Sequence, residues 1–225
     1  MGKTRNDWRH LALLISILFL FVVTPMVAVL RFGVLIVNAI AALVLIAASY
    51  SLSARRRLFV AGMVLSGISA LATVTLLLTG KLWAAIFAHS CAIVLIAYFT
   101  ITILGDVLGG TRVTMDKIFA AICVYLLIGY GWTFAYALID DVQQGSFIAQ
   151  STTPPNDYDR ILEMRYFSFM TLTTVGYGDI VPHSSTARTV TALEAVTGQI
   201  YLTVLVARLV GLHIVHAHGS RKRED

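Results

Sequence analysis

The chain has 225 residues, 58% of them hydrophobic and only 13% charged, with a formal net charge of +5. Soluble domains carry about 25% charged residues, so a compact water-soluble core is excluded as the main organisation and a polytopic membrane protein is indicated. Nor does the positive charge point to nucleic acid, because the basic residues sit at the ends of apolar runs, where topology signals lie. Cys91 and Cys123 fall inside apolar segments, which suits packing roles rather than a disulfide framework.

A helix needs about 20 apolar residues to cross the hydrocarbon core. In chain order the segments that qualify are Leu11–Leu30, Gly33–Ser51, Leu58–Thr79, Leu82–Leu104, Lys117–Ile139 and Ala187–His213. The first is longer than the apolar core of a cleaved signal peptide and reads as a retained span. Pro25 and Arg31 mark its link to the second span, and Gly80-Lys81 links the third to the fourth. All must be helical, since lipid offers open backbone groups no partners. The expected fold is therefore an all-α membrane protein of six transmembrane helices. Its parts are a cytoplasmic N-terminus (1–10), a four-helix domain (11–104), a cytoplasmic linker (105–116), a second membrane domain (117–213) and a short cytoplasmic tail (214–225).

Six spans place both termini on one side, and the flanking charges choose which. Lys3, Arg5, Arg9, Arg55, Arg56, Arg57, Arg112, Lys117, Arg208, Arg221, Lys222 and Arg223 fall on one face; Arg31, Lys81, Arg160, Arg165 and Arg188 fall on the other. That asymmetry puts both termini in the cytoplasm, in a multi-pass protein of the cell membrane. The polar stretch Asp140–Arg165 then faces outside. Asn156–Glu163, after Pro154-Pro155, reads as an extracellular turret.

Between the fifth and sixth spans lies Thr174-Val175-Gly176-Tyr177-Gly178. A dehydrated potassium ion needs oxygens to replace its water shell, and backbone carbonyls serve if successive ones point at one axis. The dihedrals required are those glycine adopts most cheaply, and Gly176 and Gly178 supply them. Thr174 adds a hydroxyl at the inner end, while Val175 and Tyr177 point away and pack behind. Rings of four such strands are how potassium channels select their ion. One motif per chain thus implies a homotetramer, or a heterotetramer of similar subunits. Tyr166–Thr173 is too short to span and suits a re-entrant pore helix of about two turns, whose negative dipole end favours a cation. Thr173 and Asp179 flank the motif as supports. The turret acids Asp140, Asp141, Asp157, Asp159 and Glu163 either concentrate cations at the entrance or form a merely solvated loop; both readings stand.

The stretch Tyr166-Phe167-Ser168-Phe169-Met170-Thr171-Leu172-Thr173-Thr174-Val175-Gly176-Tyr177-Gly178-Asp179 resembles the pore signature of the tetrameric potassium channel superfamily, in both its bacterial and two-pore-domain branches. The resemblance covers roughly Lys117–His213 and suggests a prokaryotic six-span channel. It implies that Thr174–Gly178 line a selectivity filter, with Asp179 and Tyr177 bracing it from behind. Some relatives carry a carboxylate where this chain has Met170, so the carboxyl pair that would tie that position to Asp179 cannot form here. Gly129-Tyr130-Gly131 repeats the glycine triplet inside the fifth span, where close helix packing at small residues is expected instead.

In the sixth span, Glu194 is a carboxyl at membrane depth, read either as a filter support near the pore helix or as a partner for a neighbouring subunit. Gly198 permits a kink and is read as an inner-helix hinge or as a close-packing site. Leu205, Leu209 and Leu212 are candidates for a lower gate or for lipid-facing residues. His213, His216 and His218 read as a pH or metal site or as an interfacial helix end. Leu82–Leu104 contains no Arg or Lys, so the four-helix domain lacks the regularly spaced arginines of a voltage sensor.

The expected function is passive, potassium-selective conduction, not gated by a conventional voltage sensor. Potassium is the permeant ion, no cofactor is called for, and the partners are identical subunits and the bilayer, not nucleic acid. A potassium transporter would carry four degenerate pore loops in one chain, and a non-conducting subunit would not need a complete filter. An enzyme is disfavoured because no soluble segment holds a metal-ligand spacing, nucleotide loop or nucleophile–base pair.

Overall fold

The computed structural model describes residues 9–27, 40, 41, 44, 48, 56–109, 114–149 and 157–221. Its elements in chain order are helices α1 (Arg9–Val27), α2 (Arg56–Thr79), α3 (Leu82–Leu108) and α4 (Met115–Val142), strand β1 (Phe147–Ala149), helix α5 (Asp157–Leu172), strand β2 (Ile180–Pro182) and helix α6 (Ser185–Arg221). Among the described residues, five helices are long and apolar enough to cross a membrane: α1, α2, α3, α4 and the Ser185–Arg208 part of α6. The expected second span, Gly33–Ser51, lies outside the described residues except for positions 40, 41, 44 and 48, which are helical.

The expected boundaries shift in several places. Pro25 sits inside the last turn of α1 rather than in the link that follows. Helix α3 continues through Leu108 and α4 opens at Met115, which shortens the linker expected at 105–116. Thr114 caps α4, its side chain accepting from the Lys117 amide, and Asp116 complements the positive end of the helix dipole. Helix α6 runs to Arg221, so most of the expected tail 214–225 is helical.

Helix α4 is the hub, packed against α1, α3, α5 and α6. Its buried Ala120, Ala121, Cys123, Val124 and Leu127 meet Leu13, Leu14 and Ile17 of α1 and Leu95, Phe99, Ile103 and Val107 of α3. The α3 residues recur every fourth position and form one stripe facing α4. Elsewhere the apolar side chains face outward: Val64, Ile68, Leu71 and Leu78 of α2 are all exposed, as lipid-facing positions are.

Polar ties hold the helix ends. At one end of the bundle His10 of α1 meets Asp116 of α4 through its backbone amide (3.1 Å) and its Nδ1 (2.7 Å). At the opposite end of α4, Nδ1 of His89 lies 2.7 Å from the Asp141 carboxylate, tying α3 to α4. The Arg208 guanidinium donates to the Leu108 carbonyl at 2.6 Å, placing a cation at the negative end of the α3 dipole.

Candidate functional site

Helix α5 is the platform. It has 16 residues, twice the two turns expected from Tyr166, and it begins at Asp157. The segment read as a turret, Asn156–Glu163, is therefore helical from Asp157 onward. Asp140 is not a free acid at an entrance either: it is buried, ion-paired with Arg160 of α5, and accepts from the Ser146 amide at 3.1 Å. With Asp141 held by His89, two of the five turret acids are engaged in fixing helix ends.

The far end of α5 is capped by the loop that leaves it. A helix leaves its last four carbonyls without intrahelical partners. Here the Phe169 carbonyl accepts from the Thr173 amide (3.1 Å) and hydroxyl (2.6 Å), and the Thr171 carbonyl accepts from the Thr174 amide (2.9 Å). The Met170 carbonyl accepts from the amides of both Val175 (2.9 Å) and Gly176 (3.1 Å). The Leu172 carbonyl accepts from the Tyr125 hydroxyl of α4 at 3.3 Å. The loop is thus folded back onto the end of the helix that precedes it.

Along that loop the backbone alternates. Thr174, Gly176 and Gly178 have φ of 59°, 53° and 77°, whereas Val175 and Tyr177 have no positive φ. Positive φ thus recurs at every second residue of the loop, while the amides of Thr174, Val175 and Gly176 are bound back to carbonyls of α5. Residues 173–178 are all exposed, and no atom lies within 4 Å of where a Cβ would stand on Gly176 or Gly178. Val175 and Tyr177, expected to pack behind the loop, are 50% and 72% exposed within one chain. A left-handed threonine and two uncovered apolar side chains are costly in a loop that stays alone.

Support comes from three sides. On the outer side, the Tyr166 hydroxyl donates to the Asp179 carboxylate at 2.7 Å. This bond lifts the phenol to about 12, so it remains a donor across the physiological range. Tyr166 stands one helical turn before Met170, and it supplies the tie that Met170 cannot. Beyond Asp179, β2 pairs antiparallel with β1, Ile148 opposite Val181. On the inner side, Gly198 of α6 meets the end of α5: a Cβ there would overlap the Leu172 carbonyl oxygen and lie 3.0 Å from Leu172 Cδ1. Close packing is therefore what the structure gives Gly198, and α6 is continuous through it. The next residue, Gln199, places its Nε2 3.5 Å from the Thr174 hydroxyl.

Behind α5, Glu194 is fully buried. One carboxyl oxygen lies 2.6 Å from the Ser168 hydroxyl of α5 and the other bonds the Tyr136 hydroxyl of α4. Gly129 resolves the second glycine triplet: a Cβ on it would come 2.7 Å from the Phe169 ring, so the bare backbone lets α4 and α5 touch. Phe169 also meets Phe21 of α1 edge-on at 5.0 Å, and the Arg165 guanidinium sits 4.8 Å over that same Phe21 ring. Sequence reasoning found Glu194 from its charge at membrane depth but missed Tyr166, Ser168, Tyr136 and Gln199. Hydroxyls and amides in apolar helices give no periodic signal of their partners.

Residues 137–212 match the family model described as "Ion channel". The chain is 49% identical over 45 residues to "Two-pore potassium channel 4" of Arabidopsis thaliana, a stretch that is 20% of this chain and 16% of the plant protein. It is 30% identical over 100 residues to "Protein LctB" of Bacillus caldotenax, covering 44% of this chain and 74% of that protein. The chain belongs to the ion channel family. No solved structure matches the channel. The family match begins near the end of α4 and takes in α5, the glycine-rich loop and the spanning part of α6, so it falls on the elements that build the site. Membership in this family marks the chain as a non-enzymatic membrane protein.

The Tyr166–Asp179 bond carries a direct expectation for the channel. Tyr166→Phe keeps the ring and deletes the donor, leaving the Asp179 carboxylate with the Ile180 amide at 3.1 Å but without its tie to α5. Current through the variant should decay several-fold faster during maintained opening, with expression unchanged. Decay indistinguishable from wild type would show that Asp179 does not depend on this bond.

Proposed function

We propose that the chain is one subunit of a potassium-selective channel in which residues 174–178 of four copies form the filter. The observation that carries this reading is the alternating backbone at Thr174, Gly176 and Gly178, in a loop that one chain leaves uncovered. A stack of carbonyl oxygens from four such strands replaces the hydration shell of potassium. The exposed Val175 and Tyr177 are then buried by the neighbouring subunits, which agrees with a fourfold assembly. The negative end of the α5 dipole points toward the inner cavity and stabilises a cation there. Gln199 lines the inner side of the loop beside Thr174. The name of the plant relative supports potassium as the permeant ion.

The subunit has six spans, with both termini in the cytoplasm of a cell-membrane protein. The filter faces outward. Purified protein reconstituted in vesicles tests the selectivity: with potassium on one side and sodium on the other, the reversal potential should lie far toward the potassium equilibrium value. A reversal near zero rejects selectivity. Native mass measurement of the detergent-extracted protein should give four chains.

Gating is not by a conventional voltage sensor. Helix α3 carries no Arg or Lys after Lys81, which precedes its first residue, so there is no row of charges to move through the field. The conductance–voltage relation of reconstituted protein should be shallow, equivalent to about one gating charge or fewer per channel rather than the 3–4 per subunit of a sensor. A steep relation would refute this point without touching selectivity.

A further inference from the structure

Glu194 is fully buried at membrane depth, on the inner helix α6, between two other helices. Among the described residues no cation pairs with it; its partners are the hydroxyls of Tyr136 and Ser168. An ionised carboxylate left with neutral partners in such a place is costly. The decisive feature is a count of protons. The Ser168 hydroxyl stands 2.6 Å from a Glu194 oxygen and 2.8 Å from the Gly129 carbonyl oxygen. A hydroxyl has one proton, and a carbonyl has none to give. That same Gly129 carbonyl already accepts from the Thr133 hydroxyl at 2.9 Å. If Ser168 gives its proton to Glu194, its lone pairs face the Gly129 oxygen with nothing between them. If it gives its proton to Gly129, the 2.6 Å contact needs a proton from Glu194. Only the second arrangement places a proton in each of these short oxygen–oxygen contacts: Tyr136 donates to one carboxyl oxygen, the other oxygen carries a proton and donates to Ser168, and Ser168 donates to Gly129.

We infer that Glu194 is a positioning residue that works as a neutral carboxylic acid, locking the pore helix α5 to α4 and α6 through one shared chain of protons. The filter assignment is what gives this lock its effect on conduction. Ser168 lies on α5 two residues before Met170, whose carbonyl holds the amides of Val175 and Gly176. Displacing Ser168 therefore displaces the anchor of the loop.

The test uses the full-length protein in lipid. An infrared difference spectrum of wild type against Glu194→Gln at neutral pH should contain the carbonyl stretch of a protonated carboxyl, lost in the variant. Carboxylate bands in its place overturn the proposal, and this arm holds whether or not the protein selects potassium. Glutamine offers one acceptor and two donors, so it reproduces the bonds to Tyr136 and Ser168. Glu194→Ala removes the acceptor of the Tyr136 hydroxyl and the donor to Ser168 and should lower potassium current about tenfold, and E194Q should restore it. Ser168→Ala, a smaller change that spares the acid, should reduce current in the same direction. An E194Q channel as impaired as E194A overturns the neutral-acid role. Loss of potassium-over-sodium selectivity in the wild type would instead strike at the filter assignment, with the infrared result still standing.

Discussion

Gly176→Ala is expected to abolish selective potassium conduction while leaving a folded, assembled protein. Gly176 has a φ of 53°, in the left-handed region, where an L side chain costs about 1–2 kcal/mol. In a ring of four chains that strain is incurred four times at one level of the pore. Within a single chain nothing lies within 4 Å of the added methyl, so the substitution does not disturb the subunit itself. The conflict is between backbone conformation and the proposed function: relief comes from leaving the left-handed region, which rotates the flanking peptide groups and so removes a carbonyl from the axis of the proposed filter. The measurement is paired. Native mass should still report tetramers, and the reconstituted variant should show no potassium current, or a current whose reversal in potassium against sodium lies near zero. A variant that conducts with wild-type selectivity would mean that the loop is not the filter.

The second large effect is at Gly198. Alanine there overlaps the Leu172 carbonyl oxygen and presses on its side chain. The obstacle is backbone at the end of α5, already held by the Tyr125 hydroxyl, and it has no rotamer to change. Either α6 moves away from α5 or the end of α5 is pushed out of place. Overpacking of this kind costs about 1–3 kcal/mol, so the melting temperature of purified protein should fall by several degrees and current with it. Gly67→Ala on α2 is the control, because nothing lies within 4 Å of the added methyl; it should be neutral or slightly stabilising. The pair also separates the two roles considered for Gly198. A pure hinge would lose flexibility on substitution and keep its stability, whereas a contact point loses stability.

How legible each feature is in the sequence depends on the strength of its physical signal. Membrane spans are strong signals, since about 20 apolar residues have few other uses, and helices appear at α1, α2, α3 and α4 within a few residues of where hydropathy places them, while α6 starts as expected and runs past His213 to Arg221. The glycine-rich loop was also legible, because Gly176 and Gly178 announce left-handed backbone. The length of α5 was not. Its first half, Asp157-Tyr158-Asp159-Arg160-Ile161-Leu162-Glu163, is polar enough to pass for a loop, though acids near the N-terminus are a helix-start signal. Arg160 is accounted for by Asp140, and that pairing depends on a tertiary contact across 20 positions. Likewise Glu194 was conspicuous as a lone charge, but Tyr136 lies 58 positions away and nothing local links them. The left-handed Thr174 was unexpected, since threonine resists that conformation. Its amide and those of Val175 and Gly176 are all captured by α5, which holds the backbone there.

The short β1–β2 ladder has a consequence for how channels are put together. It joins the chain just after α4 to the chain just after residue 179, and the His183 amide adds a bond to the Ser146 carbonyl at 2.8 Å. The loop is thereby pinned at one end by helix α5 and at the other by a strand belonging to its own subunit. Much of its freedom is lost before any neighbour arrives. In the proposed tetramer a newly inserted subunit therefore presents a nearly finished quarter of the filter, and meeting three others requires little further ordering of the chain. Assembly then becomes docking of preformed surfaces, with the uncovered Val175 and Tyr177 as the faces that find their complements.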